Sequence, residues 1–118
     1  MKHRTIDGKI LYTSRQPGRE GEERGREFFN WTIHSDGKRT LRARCELEDP
    51  DPTVHRDIIY SVDENDNPMD CFVRLTIGDE FMGSGWFRML EDQIECESYG
   101  PSIGRVSQTM PTNGSYDG

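Results

Sequence analysis

The chain has 118 residues, a net charge of −7 and only 31% hydrophobic residues, which suits one small domain with a thin core. Carboxylates outnumber basic side chains by 22 to 15, and this excess argues against binding to nucleic acid or to an anionic membrane. No apolar run approaches the ~20 residues of a membrane-spanning helix, and residues 1–7 lack the apolar core of a signal peptide, so we expect one cytoplasmic domain without membrane insertion.

Composition favours β-strands over helices. Strong helix formers are scarce, since the chain contains one alanine, Ala43, and three lysines. Its twelve glycines and six prolines fall mainly between apolar runs, where turns separate strands. The cysteines, Cys45, Cys71 and Cys96, are widely spaced without a Cys-x-x-Cys pair, and we interpret them as free, buried thiols.

The N-terminal part of the chain predicts one short strand and a polar loop. Residues 6–12 form a candidate strand, and residues 14–26 follow without any aliphatic side chain. Such a segment cannot bury enough surface to offset the entropy lost on ordering. We therefore expect a mobile loop over residues 14–26.

The clearest local signal is a β-hairpin over residues 27–47 that turns at residues 35–37. A two-residue turn would set Trp31 opposite Arg42, whereas a three-residue loop with its glycine in the left-handed conformation sets Trp31 opposite Leu41. A shift of one residue moves every side chain across the sheet. Apolar pairing therefore favours the three-residue loop.

Five further strands complete the predicted sheet. Their predicted ranges are residues 54–62, 70–77, 80–90, 93–99 and 103–110, and residues 111–118 are predicted to be a disordered tail.

The strand over residues 80–90 is interrupted by Gly83 and Gly85, and such glycines usually mark a bend, a bulge or a close approach of another group. By alternation we expect Phe81 and Phe87 on one face of this strand and Trp86 on the other.

About seven strands at this spacing predict an all-β antiparallel meander. Such a meander forms a small barrel or half-barrel, with a sandwich as the alternative. The polar ending after Met110 also allows the chain to be the N-terminal part of a longer protein whose remaining strands close the barrel.

The sequence contains no catalytic or metal-binding motif that we could identify. There is no His-Glu-x-x-His, Gly-x-Ser-x-Gly or P-loop pattern, and His34 and His55 lack a fixed spacing to carboxylates. We therefore predict no metal site and no cofactor. Glu95 and Glu97 share a strand face with Tyr99, which keeps acid–base chemistry open as an alternative.

Arginines and aromatic residues inside predicted strands form the main candidate for a ligand site. Twelve of the fifteen basic residues are arginine, whose planar fork suits carboxylate and phosphate groups. The competing interpretation is that these arginines line an outer face and pair with carboxylates across strands. The predicted ligand-binding residues are Phe72, Arg74, Phe81, Trp86, Phe87 and Arg88.

The strands between Phe28 and Met110, with Gly83-Ser84-Gly85-Trp86 in their second half, resemble the strand weave of lipocalin-like and glycolipid-binding β-barrel proteins. The likeness lies in the strand layout, and the Gly-x-Trp signature of lipocalins is absent. It implies an apolar-lined pocket with a polar contact to a head group and without catalytic machinery.

The leading hypothesis is a non-enzymatic domain that binds a small amphipathic or aromatic ligand, with Arg74 or Arg88 near its polar end. One alternative is a cofactorless isomerase or lyase that uses Tyr99 with Glu95 or Glu97. The other is an assembly module whose sheet pairs with a second copy, as a homodimer, or with a missing C-terminal half.

Overall fold

The computed structural model describes residues 3–112, and these residues form one antiparallel sheet of eight strands. Each strand pairs with its neighbours in sequence, so the topology is an up-and-down meander. The strands are β1 (Arg4–Thr13), β2 (Glu23–Ile33), β3 (Arg39–Leu47), β4 (Val54–Val62), β5 (Pro68–Ile77), β6 (Glu80–Met89), β7 (Gln93–Gly100) and β8 (Gly104–Pro111). The predicted all-β antiparallel meander is confirmed, but it has eight strands where about seven were predicted.

The sheet is open. Strands β1 and β8 lie at its two edges, and each pairs on one side only. The radius of gyration is 17.1 Å, whereas a compact domain of this length has a value of about 13 to 14 Å. The described strands therefore extend as one layer and do not close into the barrel that the sequence suggested.

The β2–β3 hairpin has the predicted three-residue loop. The backbone N–H of His34 donates to the carbonyl of Lys38 at 2.8 Å, and Gly37 between them has a φ of +90°. Trp31 lies opposite Leu41, as apolar pairing required.

The predicted bounds of the loop over residues 14–26 are too wide. Strand β2 already begins at Glu23, and the buried Ser14 donates its backbone N–H to the carbonyl of Glu22 at 2.9 Å. Arg19 adds ion pairs of 2.9 Å to Glu22 and 2.7 Å to Asp49. Polar contacts order this turn, and they need no aliphatic side chain.

The predicted tail over residues 111–118 is only partly within the described residues. Pro111 ends β8, and the backbone N–H of Thr112 donates to the carbonyl of Asp92 at 2.8 Å. Residues 113–118 lie outside the described part of the chain. Among residues 3–112, no helix has the length and apolar character needed to cross a membrane.

The register gives the two faces of the sheet different chemistry, because residues directly opposite each other in an antiparallel sheet share a face. One side, which we call the apolar face, carries aliphatic and aromatic side chains and all three cysteines. It includes Phe29, Trp31, Leu41, Cys45, Ile58, Val62, Cys71, Val73, Phe87, Ile94 and Cys96. The opposite side, which we call the polar face, includes Arg42, Arg44, Asp57, Asp70, Phe72, Arg74, Trp86, Arg88, Glu95 and Glu97.

Few side chains are buried, although the apolar face is continuous. Cys45 at 6% and Val62 at 8% exposure are the buried hydrophobic residues among those described, and no described side chain is below 2%. The cysteines are free, as predicted, but Cys71 and Cys96 are only half-buried. One layer of strands cannot enclose its own apolar side.

Candidate functional site

The structure places most of the predicted ligand-binding residues together on the polar face. Phe72 lies opposite Trp86, and Arg74 lies opposite Ser84, on the paired strands β5 and β6. Arg88 lies two residues beyond Trp86 on the same side. Phe87 is the exception, because it points to the apolar face.

The expectation that Phe81 shares a face with Phe87 is wrong. A bulge shifts the β5–β6 register, so that Gly83 and Phe81 pair with successive residues of β5 and Met82 is skipped. One extra residue inverts the alternation of the strand beyond it. A Cβ atom on Gly83 would lie 3.1 Å from the carbonyl oxygen of Tyr99, so the predicted bulge and close approach are both found there.

Beyond the bulge, Phe81 contacts two polar-face residues. Its ring stacks against the ring of Tyr99 with centroids 6.0 Å apart. The guanidinium carbon of Arg74 lies 4.3 Å from the centroid of the same ring, a cation–π distance. The three side chains form a stack at one end of the polar face.

An open groove of about 440 Å³ crosses strands β5 to β8 next to this stack. It is a size that suits a small ligand. We call it the aromatic groove; it is lined by Phe72, Ser84, Trp86, Glu97, Ser98, Tyr99 and Arg105. The rings of Phe72, Trp86 and Tyr99 are all partly exposed in it, so each offers surface that a ligand can cover.

Trp86 is held by polar contacts on two sides. Its indole Nε1 donates to Asp70 Oδ2 at 3.4 Å, and the guanidinium carbon of Arg88 lies 4.4 Å from the centre of its ring. Arg88 in turn donates from Nη2 to Glu95 at 3.4 Å and to Glu97 at 3.2 Å. Arg88 therefore orients Trp86 and is shared by the Glu95 and Glu97 carboxylates beside the groove.

Arg74 and Arg105 differ from Arg88. Within residues 3–112, neither of them has a carboxylate at ion-pair distance. Arg105 lines the aromatic groove, and Arg74 lies over the neighbouring ring of Phe81. These two guanidinium groups can receive an anionic group without breaking an existing pair.

The alternative acid–base pair is not enclosed. Glu95 and Glu97 bind the same guanidinium of Arg88, and Tyr99 is exposed. A general acid usually sits in apolar surroundings that disfavour its charged form. No group of three or more histidine, cysteine, aspartate or glutamate side chains that could hold a metal ion occurs in the described part of the chain.

Five lining residues are absent from the predicted ligand set: Ser84, Glu97, Ser98, Tyr99 and Arg105. Tyr99 was considered only for acid–base chemistry, and Arg105 only as one of several strand arginines. The pairs Ser84–Tyr99 and Tyr99–Arg105 bring both to the groove. If the length of the β6–β7 turn is known, the pairing of these two strands can be counted outward from the turn, and it places Tyr99 on the same face as Ser84 and Trp86.

Comparison with known proteins returned no matching family model, curated protein or solved structure. The function therefore has to be inferred from the geometry of the sheet, and the resemblance to lipocalin-like proteins stays a prediction.

Proposed function

We propose that the chain is a non-enzymatic binding domain whose aromatic groove holds a small ligand with a flat apolar body and one anionic group. The observation that carries this proposal is the convergence of three partly exposed rings, Phe72, Trp86 and Tyr99, beside Arg105. The expected pocket thus becomes an open groove on the polar face of the sheet.

The rings favour a flat ligand. Aromatic side chains stack on planar groups with offset or edge-to-face geometry, and each such pair contributes about 0.5 to 1.5 kcal/mol beyond area burial. Trp86 is already oriented by Asp70 and Arg88. A fixed ring loses little conformational entropy when the ligand binds, and this favours affinity.

The charges favour an anionic group on the ligand. Among the described residues, Glu97 is the carboxylate that lines the groove, and it shares the guanidinium of Arg88 with Glu95. Arg105 adds a positive charge at the groove, and Arg74 adds another at the adjacent stack. Guanidinium groups bind carboxylate, sulfonate or phosphate through paired N–H donors.

Two dyes that differ in charge test this proposal. The probes are 1-anilinonaphthalene-8-sulfonate and the uncharged N-phenyl-1-naphthylamine, which share a flat apolar body, and the readout is dye fluorescence during titration. We expect the sulfonate to bind more tightly. Arg105→Ala should weaken its binding by about tenfold, because a hydrogen bond to a charged group contributes about 1.5 kcal/mol or more, and it should leave the uncharged dye unaffected.

A matched pair of variants assigns the binding to one face. Trp86 and its neighbour Phe87 lie on opposite faces and have the same exposure, 37%. Trp86→Leu should abolish most binding of the sulfonate dye, and Phe87→Leu should leave it unchanged. Equal affinity for the two dyes, or loss of binding with Phe87→Leu alone, would contradict the proposal.

A further inference from the structure

The apolar face is uncovered from one edge of the sheet to the other. Ile6 on β1, Phe87 on β6 and Met110 on β8 are all exposed, and only Cys45 and Val62 are buried among the described hydrophobic residues. Monomeric soluble proteins rarely expose contiguous apolar patches larger than a few hundred Å². A second layer has to cover this face.

The size of the face matches what one further copy would cover. Eight strands spaced at about 4.8 Å, each contributing about nine residues of 3.3 Å, span an area of about 1,000 Å². A stable protein interface of standard size buries about 800 Å² on each partner. One sheet of the same dimensions is therefore a sufficient cover.

Three of the charged side chains within the face already have partners. Strands β2, β3 and β4 contribute Glu27, Arg39 and Arg56 to it. Glu27 accepts a hydrogen bond from Tyr12 at 3.1 Å and lies 3.7 Å from Arg56, while Arg39 pairs with Asp66 at the rim. A paired charge is far less costly to bury than a single one.

The opposite face is less suited to self-association. It contains Arg42, Arg74 and Arg105, which have no ion-pair partner among the described residues, together with Asp57 and Asp70, and charged groups without such partners are costly to bury against a second copy. The residues of the given sequence that lie outside the structure, residues 1–2 and 113–118, include only Met1 and Tyr116 as large apolar residues. They are too few to cover eight strands.

We propose that the apolar face packs against the apolar face of a second copy and forms a symmetric homodimer of two facing sheets. Such sheets pack about 10 Å apart with their strands about 30° from alignment, and the same patch serves both partners. The aromatic grooves then lie on the two outer surfaces of the dimer. Dimerisation and ligand binding therefore use different residues and can fail independently.

The oligomeric state of the full chain tests the dimer. Light scattering on a sizing column should give twice 13.7 kDa for the wild type and for Trp86→Lys, and the single mass for Phe87→Lys. Met110→Lys places a charge on the same face at a residue that is 58% exposed, so the monomer should fold normally while the dimer weakens. A wild type that elutes as a monomer at all concentrations would overturn the proposal, as would a dimer that survives both apolar-face substitutions.

Thiol labelling gives a second readout on the unmodified chain, because all three cysteines lie on the apolar face. Burial raises the pKa of the Cys45 and Cys71 thiols. The labelling rate of each cysteine is therefore compared between conditions at one fixed pH, and not with the rates of the other cysteines. In the dimer, Cys71 and Cys96 should label slowly, and their rates should rise on dilution and in Met110→Lys. A dimer with unprotected Cys96 would show pairing through the sheet edges, and a monomer with protected thiols would show a sheet closed on itself. Either result contradicts the facing-sheet dimer.

Discussion

The two faces of the sheet are built by the same eight strands, yet their side chains have different kinds of partner. Trp86 and Phe87 are adjacent and equally exposed. Trp86 has a hydrogen bond to Asp70 and a stacked guanidinium from Arg88. Phe87 lies opposite Cys71 on the apolar face, and its surroundings there are apolar. Equal exposure therefore accompanies two different environments, a polar one for Trp86 and an apolar one for Phe87.

The arginines show the same difference within the polar face. Arg88 on β6 pairs with Glu95 and Glu97 on β7 at 3.4 and 3.2 Å, which confirms for it the interpretation of cross-strand ion pairs, whereas Arg44 pairs with Glu46 of its own strand at 3.3 Å. Arg74 and Arg105 have no such carboxylate in the described part of the chain. The comparison indicates that unpaired arginines beside exposed rings, rather than arginines in general, mark the candidate site.

The largest expected effect is on the free energy of unfolding. Two separate variants, one on each face, compare what the loss of apolar side-chain volume costs. Val62→Ala should lower the free energy of unfolding by about 2 kcal/mol, because a buried side chain loses transfer energy and leaves a cavity. Ile59→Ala removes more carbon from a polar-face residue that is 43% exposed, and it should cost less than about 1 kcal/mol. Urea unfolding of both variants measures the difference. Equal losses would show that the two faces are not energetically distinct.

Local patterns made the strands predictable. The range of β4 was predicted to the residue, and the other ends of strands β3 to β8 lie within two residues of the prediction. The β2–β3 loop followed from the pairing of Trp31 with Leu41. These features depend on period-two alternation and on turn residues, which short stretches of sequence contain. Closure of the sheet depends on contacts between distant strands, and no local pattern reports it.

The site was predictable in its residue types and less so in its geometry. Phe72, Arg74, Trp86 and Arg88 share the polar face as strict alternation requires. Phe81 joins them only because of the bulge at Met82, and one skipped residue cannot be read from alternation. Phe87 lies on the face opposite Trp86, as alternation predicts, so the predicted ligand set combined residues of both faces.

A smaller effect should appear at alkaline pH. Burial and the hydrogen bond to Glu27 raise the pKa of Tyr12 on the apolar face. A raised pKa in the folded state means that this group contributes stability below its ordinary pKa of 10.0 and that the contribution is lost as the pH rises through the raised pKa. Tyr12→Phe should lower stability by at most about 1 kcal/mol at pH 7.

The difference between wild type and Tyr12→Phe should therefore shrink as the pH is raised above 10, and urea unfolding at several pH values measures it. A difference that grows with pH would mean that the Tyr12 phenolate is stabilised by Arg56, which is the weakest of the influences on this group, rather than opposed by burial and by Glu27.

The smallest effect concerns the charge balance at the rim of the apolar face. Arg39 pairs with Asp66 and also donates to the carbonyl of Asp63 at 3.2 Å. Asp66 has a φ of 67°, which asparagine tolerates, so Asp66→Asn removes the charge and keeps the turn. Exposed ion pairs contribute up to about 1 kcal/mol, and the dimer should therefore dissociate a few times more readily.

Asp36→Asn is the matched control, because Asp36 lies in the equivalent loop of the β2–β3 hairpin and contacts Lys38, which lies outside the apolar face. This substitution should leave the dimer unchanged. Sedimentation over a concentration series distinguishes the two variants. If both weaken the dimer equally, the loss of net charge in the turns would explain the result, and the balance of Arg39 within the apolar face would have no part in holding two copies together.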